Sequence, residues 1–234
     1  MELLEKAKKY IDIKKFIKLI LIFLLFYYSY LFKKIPIFLF NIDKNNISNS
    51  ERILLMVFAE ICNLIILLII YRKDLIKYVK KMKKNFLKTI DNSFGYYVIG
   101  LIGMMVTNIL LNILFNGTGA ENEKIVQNLI NTSPLIMLID AGIIAPIVEE
   151  LTFRKTFMDT FKTKWLFILT SGIFFGLLHI SENTNNLVDF LYFIPYASLG
   201  ISFAYMDYKE KSVIPSVIMH MMHNTTLIIL SIIA

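Results

Sequence analysis

The chain has 234 residues and a formal net charge of +7, and 56% of its residues are hydrophobic; its mean hydropathy is +0.62. An ordinary soluble domain is only about 45–50% apolar, so this composition excludes a disordered chain, a fibrous repeat and a nucleic-acid-binding domain with a hydrated surface. The single cysteine, Cys62, excludes an internal disulfide bond and a cysteine-based zinc site. The excess of basic residues is instead typical of the cytoplasmic loops of a membrane protein.

Seven apolar segments predict an all-α fold, a polytopic transmembrane helical bundle of about seven spans, because about 20 apolar residues cross a ~30 Å hydrocarbon core. In chain order they are Leu19–Leu31, Ile53–Tyr71, Tyr96–Phe115, Pro134–Phe153, Trp165–Ile180, Leu187–Met206 and Val213–Ala234. The opening Met1–Lys18 has no small-residue cleavage site and runs straight into the first span, so we expect no cleavable signal there.

The basic residues predict how this bundle is oriented. With a cytoplasmic N-terminus, 20 of the 25 Lys and Arg residues fall in cytoplasmic segments and five in outer segments. This bias favours a cytoplasmic N-terminus and a C-terminus outside. Only three of the 25 are arginines, a usage typical of an AT-rich bacterial genome. We therefore expect an integral protein of a bacterial plasma membrane.

The loop after the second span predicts a basic amphipathic helix that lies on an anionic leaflet, because apolar residues recur at helical spacing among lysines. The alternative is a charged loop in water. The apolar residues of this segment are Leu75, Val79, Met82, Phe86 and Ile90.

Ionisable residues within apolar spans are costly and mark candidate functional sites. All three histidines of the chain lie in its last third, which favours a shared site. The residues of this class are Glu60, Asp140, Glu149, Glu150, Arg154, His179, His220 and His223.

The adjacent glutamates point in different directions on a helix, since successive residues are rotated by about 100°. Glu150 and Arg154 are four residues apart and can form an ion pair, which leaves Glu149 free to face elsewhere. Pro146 should bend or open the helix just before them, and backbone groups freed inside a membrane need a polar site. The alternative is a salt-bridged helix end without chemistry.

His220 and Asn224 are also four residues apart, so they are neighbours on one helix face. An imidazole beside a carboxamide within a span is suited to donate hydrogen bonds to a developing oxyanion. The alternative is ordinary hydrogen bonding between membrane helices. His179 ends the fifth span and could equally be a hydrogen-bonded packing residue.

Together these residues form the pattern E-E-x-x-x-R, then F-x-x-x-H about 20 residues later, then H-x-x-x-N in the last span. The pattern resembles the CPBP family of intramembrane proteases, which includes the CAAX prenyl endopeptidases and bacterial Abi-type proteins associated with bacteriocin processing and self-immunity. The resemblance covers roughly Pro134 to Thr226, and Lys155 stands where the family commonly has glycine. Its motifs fall on Glu149, Glu150 and Arg154, on Phe175 and His179, and on His220 and Asn224.

The resemblance implies an intramembrane endopeptidase whose active site lies between the four C-terminal helices. Residues 1–133 would form three spans with the basic connecting helix, and residues 134–234 the catalytic core. Glu149 would activate a water that His179 holds, and His220 with Asn224 would stabilise the oxyanion. Glu150, Arg154 and Phe175 would support them. Convergence of these groups requires that the fourth helix continues through Arg154; we also expect the fifth to begin later than Trp165.

Several alternatives stay open at this point. The favoured mechanism needs no cofactor, but zinc held by Glu149, His179 and His220 is the second possibility. The chain could also be a non-enzymatic immunity or scaffold protein, or a small transporter that uses Glu60, Asp140 and the histidines as a proton relay. Expected partners are the lipid bilayer and a membrane-anchored or hydrophobic peptide, of the CAAX type or a leader peptide, and no nucleic acid. The sequence carries no signal for an oligomeric state.

Overall fold

The computed structural model describes residues 8–43, 45–115, 121–180 and 190–233, without the side chains of 121 and 122. Within these ranges every regular element is helical. The first half comprises α1 (Ile13–Tyr28), a 3₁₀ turn (Ser29–Lys33), α2 (Lys34–Leu39), α3 (Asn49–Lys84), α4 (Phe86–Phe115) and α5 (Glu121–Thr132).

A single interrupted helix follows, in which two π-helical segments alternate with α-helical ones. Its parts are α6 (Pro134–Ile139), a first π segment (Asp140–Ile144), α7 (Ala145–Glu149), a second π segment (Glu150–Lys155) and α8 (Thr156–Thr160). The expectation that the helix continues through Arg154 is confirmed. π segments are rare and often occur at functional sites, and both of these carry acidic residues.

Among residues 161–180 and 190–233, three further helices follow: α9 (Lys164–Leu178), α10 (Phe193–Glu210) and α11 (Ile214–Ile233). The expected late start of the fifth span is wrong, because α9 begins at Lys164. The first residues of the predicted sixth span, 187–189, and Ala234 lie outside the described residues.

Among the residues that the structure describes, four helices are long and apolar enough to cross a membrane, and α9 is a shorter apolar helix. The four are Ile13–Leu39, Asn49–Lys84, Phe86–Phe115 and Ile214–Ile233. The all-helical membrane fold is thus confirmed, whereas the map of seven spans stays a prediction. The predicted fourth span is the interrupted helix, and the sixth corresponds to α10, whose last turn is charged.

The basic segment after the second predicted span is not a separate helix. Residues 72–84 continue α3, which runs unbroken for 36 residues because it contains neither proline nor glycine. At about 1.5 Å per residue the helix is much longer than a ~30 Å bilayer core, so its basic end projects beyond it. Asn85 ends the helix, and Phe86 and Ile90 belong to α4.

α9 and α10 pack with their backbones close together, which fixes the end of α9 where His179 lies. A Cβ atom at Gly176 would be 2.6 Å from the Phe193 carbonyl oxygen, and one at Gly172 would be 2.7 Å from the Ile201 nitrogen. Small residues spaced by four allow this approach between membrane helices. Phe175, between the two glycines, is thereby held in the core, 2% exposed.

Candidate active site

Pro146 has no N–H, so it cannot donate to the carbonyls about one turn earlier. Side chains of α11 donate hydrogen bonds to two of those carbonyls. Asn224 Nδ2 donates to the Ala141 oxygen at 2.9 Å, and Thr225 Oγ1 donates to the Gly142 oxygen at 3.2 Å. The predicted opening of the helix at Pro146 is therefore seen as a π segment, and Asn224 anchors α11 to it.

Glu150 lies at the centre of a buried ionic network. Its Oε2 is 3.1 Å from Arg154 Nε, and both side chains are fully buried. Its Oε1 is 3.0 Å from His220 Nδ1. Because a carboxylate only accepts, His220 carries a hydrogen on Nδ1, which leaves Nε2 as the atom that faces the rest of the site.

Arg154 has further partners that fix its guanidinium. Nη1 donates to Ser171 Oγ at 3.2 Å, and Ser171 Oγ donates to the Phe153 carbonyl at 2.9 Å. The guanidinium also lies 4.5 Å from the ring centre of Phe175, a distance that favours a cation–π contact. The predicted ion pair between Glu150 and Arg154 is present, and Ser171 is a partner that has no motif around it in the sequence.

Glu149 differs from Glu150 in how close its Oε2 lies to a basic group: Glu150 Oε2 is 3.1 Å from Arg154 Nε. The nearest basic group to Glu149 Oε2 in its ion-pair contacts is His220 Nε2, at 3.8 Å. Although 19% of the Glu149 side chain is exposed, Oε2 itself is buried and accepts no hydrogen bond among the described residues. Glu60 and Asp140 are close enough to act on it electrostatically. The site thus holds one carboxylate in contact with both Arg154 and His220 and a neighbouring one whose buried Oε2 has no hydrogen-bond donor among the described residues.

His179 joins this group through Phe175. Its Nδ1 donates to the Phe175 carbonyl at 2.9 Å, and its ring centre lies 4.4 Å from that of Phe175 and 4.6 Å from that of Tyr196. On its other side Phe175 packs 5.6 Å from His220. His179 Nε2 is consequently the ring atom left to accept from a water, while Phe175 sets the spacing between the two imidazoles.

The zinc alternative requires three donors that converge on one point. Among the described residues, which include Glu149, His179 and His220, no three His, Cys, Asp or Glu side chains form such a group. The donor set therefore does not fit a zinc ion as it stands.

Asp207 is a member of the site that the sequence map missed, because the predicted sixth span ends one residue earlier. It is fully buried; its Oδ2 accepts from Ser216 Oγ at 2.7 Å and its Oδ1 from the Ser216 N–H at 3.3 Å. An anion at a helix N-terminus is favourable, so Asp207 fixes the start of α11, which carries His220.

Lys155, at the family's glycine position, is used for packing. Its Nζ lies 2.6 Å from Asp159 and 2.8 Å from Asp74, and only 2% of its side chain is exposed. The ring centre of Tyr71, in α3, lies 5.1 Å from the Lys155 Nζ. The Tyr71 hydroxyl forms a 2.6 Å hydrogen bond with Thr156 Oγ1. The lysine thereby ties the interrupted helix to α3.

The comparisons agree with the motifs. Residues 131–226 match the family model described as "Type II CAAX prenyl endopeptidase Rce1-like". The chain is 28% identical over 148 residues to "Putative membrane peptidase YdiL" of Bacillus subtilis, an alignment that covers 62% of this chain and 51% of that protein. It is 25% identical over 143 residues to "UPF0177 protein YxdF" of Lactococcus lactis, covering 58% of this chain and 77% of that protein. The alignment with YdiL thus spans about half of that relative, and no solved structure matches.

The family match covers the interrupted helix, α9, α10 and most of α11, and these elements carry every motif residue. Together with the apolar helices, it confirms the resemblance inferred from the motif spacing. The chain is a membrane protein whose residues 131–226 are similar to the Rce1-like type II CAAX prenyl endopeptidases.

Proposed function

We propose that the chain is an intramembrane endopeptidase that hydrolyses a peptide bond of a membrane-associated peptide or protein, with Glu149 activating the water. The observation that carries this proposal is the buried Glu149 oxygen that accepts no hydrogen bond among the described residues, beside a network that holds Glu150, Arg154 and His220 in place. The substrate would be of the CAAX type or a leader peptide, and residues 134–234 would form the catalytic core.

In the proposed reaction Glu149 takes a proton from a water, which His179 orients through Nε2, and the water oxygen attacks the scissile carbonyl carbon. The C–N bond then breaks, and the proton on Glu149 passes to the leaving amine. Glu149 is thus regenerated, and no covalent enzyme intermediate is formed.

The oxyanion is stabilised by His220 and Asn224 in this scheme. Nδ1 of His220 is engaged by Glu150, so the ring donates to substrate only from Nε2, and only when it carries both protons. Asn224 uses one amide hydrogen for Ala141 and has a second to offer. Glu150 and Arg154 act as positioning residues, because Glu150 orients His220 through Nδ1 and Arg154 holds the Glu150 carboxylate.

The test compares wild-type protein with Glu149→Gln, because an amide keeps the shape of the side chain but cannot take the proton. Both are expressed in a strain that lacks the protein, and new peptide termini in the membrane fraction are identified by mass spectrometry. Glu51→Gln is the matched control, since a glutamine keeps the capping box that Glu51 forms with Ser48. Cleavage products that depend on Glu149, and not on Glu51, are expected.

Products that persist in Glu149→Gln would remove Glu149 from the base role. A complete absence of wild-type-dependent termini, with normal protein level, would favour the non-enzymatic immunity or scaffold alternative. Once a product is known, purified protein should cleave that substrate after chelation and dialysis. Stoichiometric zinc, lost together with activity on chelation, would replace this mechanism by the zinc-dependent one.

A further inference from the structure

Two cavities adjoin at the loop between α8 and α9, and none of the catalytic candidates lines either. The first, of about 510 Å³, is bounded by the α8–α9 loop, the end of α10 and α3. The second, of about 290 Å³, lies between α1 and the α8–α9 region. Phe161 lines both, so a single elongated ligand could occupy the two together.

The first cavity is strongly basic. Among the described residues that line it there are four lysines and no acidic side chain, and the remaining neighbours include aromatic rings. Lys164 is held over the ring of Tyr208, 5.5 Å from its centre. Lysine is a common phosphate ligand that acts as a point charge, so the cavity is suited to an anionic head group. The lysines are Lys162, Lys164, Lys209 and Lys211.

The second cavity is entirely apolar. Every side chain that lines it is Phe, Leu or Ile, and five of the eight belong to α1, which is part of a candidate membrane span. The groove follows α1 from Phe16 to Leu24, into that span. A hydrocarbon chain would be favourable there because burial of each CH₂ group contributes about 0.8 kcal/mol.

The segment before α1 is held against the α8–α9 loop by backbone hydrogen bonds. The Asp12 N–H donates to the Thr160 oxygen at 3.0 Å, and the Lys162 N–H donates to the Tyr10 oxygen at 2.8 Å. Lys162 Nζ also donates to the Lys8 carbonyl at 2.6 Å. The segment before α1 is thus paired with the α8–α9 loop, and the basic and apolar cavities keep a fixed relative position.

We infer that these cavities form one binding site for an anionic phospholipid, with the phosphate among the four lysines and an acyl chain in the groove along α1. The order of the parts matches a lipid in a leaflet, with the charged site at the end of a candidate span and the apolar site within it. A phospholipid is favoured over a peptide substrate because the site is separate from Glu149, His179, His220 and Asn224. The bound lipid would join α1 to the catalytic half of the chain.

The full chain, purified in a non-ionic detergent, is titrated with phosphatidylglycerol or with phosphatidylcholine of the same acyl chains, and bound lipid is counted by native mass spectrometry. Phosphatidylglycerol should bind at about tenfold lower concentration, since a lysine near an anionic head group contributes about fivefold in affinity. Equal retention of the two lipids would overturn the proposal.

The head-group site is tested with the triple variant Lys162→Gln, Lys209→Gln, Lys211→Gln. Its control is Lys73→Gln, Lys80→Gln, Lys83→Gln, which removes the same charge from exposed positions of α3. The first should weaken phosphatidylglycerol binding by at least about tenfold and the control by less than about twofold. Equal losses in the two triples would mean general attraction to the protein's charge and would overturn a defined site.

The acyl groove is tested with Ile20→Trp, which fills it, against Leu21→Trp, a neighbouring α1 position that does not line it. Only Ile20→Trp should weaken phosphatidylglycerol binding.

Competition tests the identity of the ligand. If inorganic phosphate competes with the lipid at equal concentration, the site binds a phosphate group and the acyl chain contributes nothing. If a farnesylated peptide with a free carboxylate displaces the lipid at lower concentration, the site binds the substrate and not a phospholipid. Either result overturns the lipid assignment; none of these measurements uses activity, so each is independent of the proposed endopeptidase.

Discussion

Arg154 is the residue on which the geometry of the buried network most depends. It is 0% exposed and pairs with Glu150, which also holds His220. Arg154→Ala would leave the Glu150 carboxylate buried without its cation, and breaking a buried pair in this way costs about 3–5 kcal/mol. We expect a lower midpoint of thermal unfolding in detergent and lower abundance, together with lost turnover.

Arg72→Ala is the control for that experiment, because Arg72 is an exposed arginine at the basic end of α3 and should leave stability within about 0.5 kcal/mol of wild type. Normal thermal stability of Arg154→Ala with selective loss of turnover would contradict the structural role. Arg154 would then act directly on the substrate.

Asn224 has two possible roles that a pair of variants separates. Asn224→Ala removes the donor to Ala141 and the proposed oxyanion donor, whereas Thr225→Val removes only the neighbouring hydrogen bond to Gly142. Both should lower thermal stability, since a lost buried partner costs about 1–3 kcal/mol. Only Asn224→Ala should also lower kcat, by about 10²–10³. Equal kcat values for the two variants would confine Asn224 to holding the interrupted helix.

At the scale of helices, the approach of α9 to α10 depends on two glycines. Gly176→Ala would place a Cβ 2.6 Å from the Phe193 oxygen and 2.8 Å from Ala197 Cβ, so the helices must separate and Phe175 with His179 must move. Thermal stability and activity should both fall. Gly95→Ala is the matched control because its Cβ would have nothing within 4 Å; it should be neutral or slightly stabilising, by up to about 1 kcal/mol of helix propensity. Equal midpoints for both variants would show that the contact is not tight.

Local spacing explains which parts of this site could be predicted. The pair Glu150–Arg154 follows from positions four apart on a helix, and the opening before Glu149 follows from Pro146 having no N–H. The bond from Glu150 to His220 joins residues 70 positions apart, so it depends on how α11 packs. The sequence therefore predicted that both residues belong to one site, but it gave His220 only Asn224 as a neighbour. It also placed Asp207 in a loop, outside the site. Continuation of α3 through the basic segment was also missed, because apolar spacing does not mark where one helix ends.

At the scale of the whole molecule, the number of spans determines on which side of the membrane the α8–α9 loop lies. The loop lines the basic cavity together with Lys209 and Lys211 of the α10–α11 connection, so the two connections lie at the same end of the bundle. With seven spans, both face the cytoplasm together with the end of α3. If only the four long helices cross the membrane, the interrupted helix does not cross it. In that case α5 and the α8–α9 loop lie on the same side.

Cysteine labelling distinguishes these two topologies, because the chain has a single cysteine to remove. In a Cys62→Ser background, one cysteine is introduced at Asn131 in α5 or at Lys162 in the α8–α9 loop, both exposed positions. A membrane-impermeant maleimide applied to intact cells should label Asn131→Cys, and should label Lys162→Cys only after the cells are permeabilised. Lys83→Cys at the basic end of α3 should behave like Lys162→Cys, because the excess of basic residues predicts a cytoplasmic position for both. Labelling of Asn131→Cys and Lys162→Cys from the same side would mean that the interrupted helix does not cross the bilayer, and the seven-span map would be wrong even if the buried network is correct.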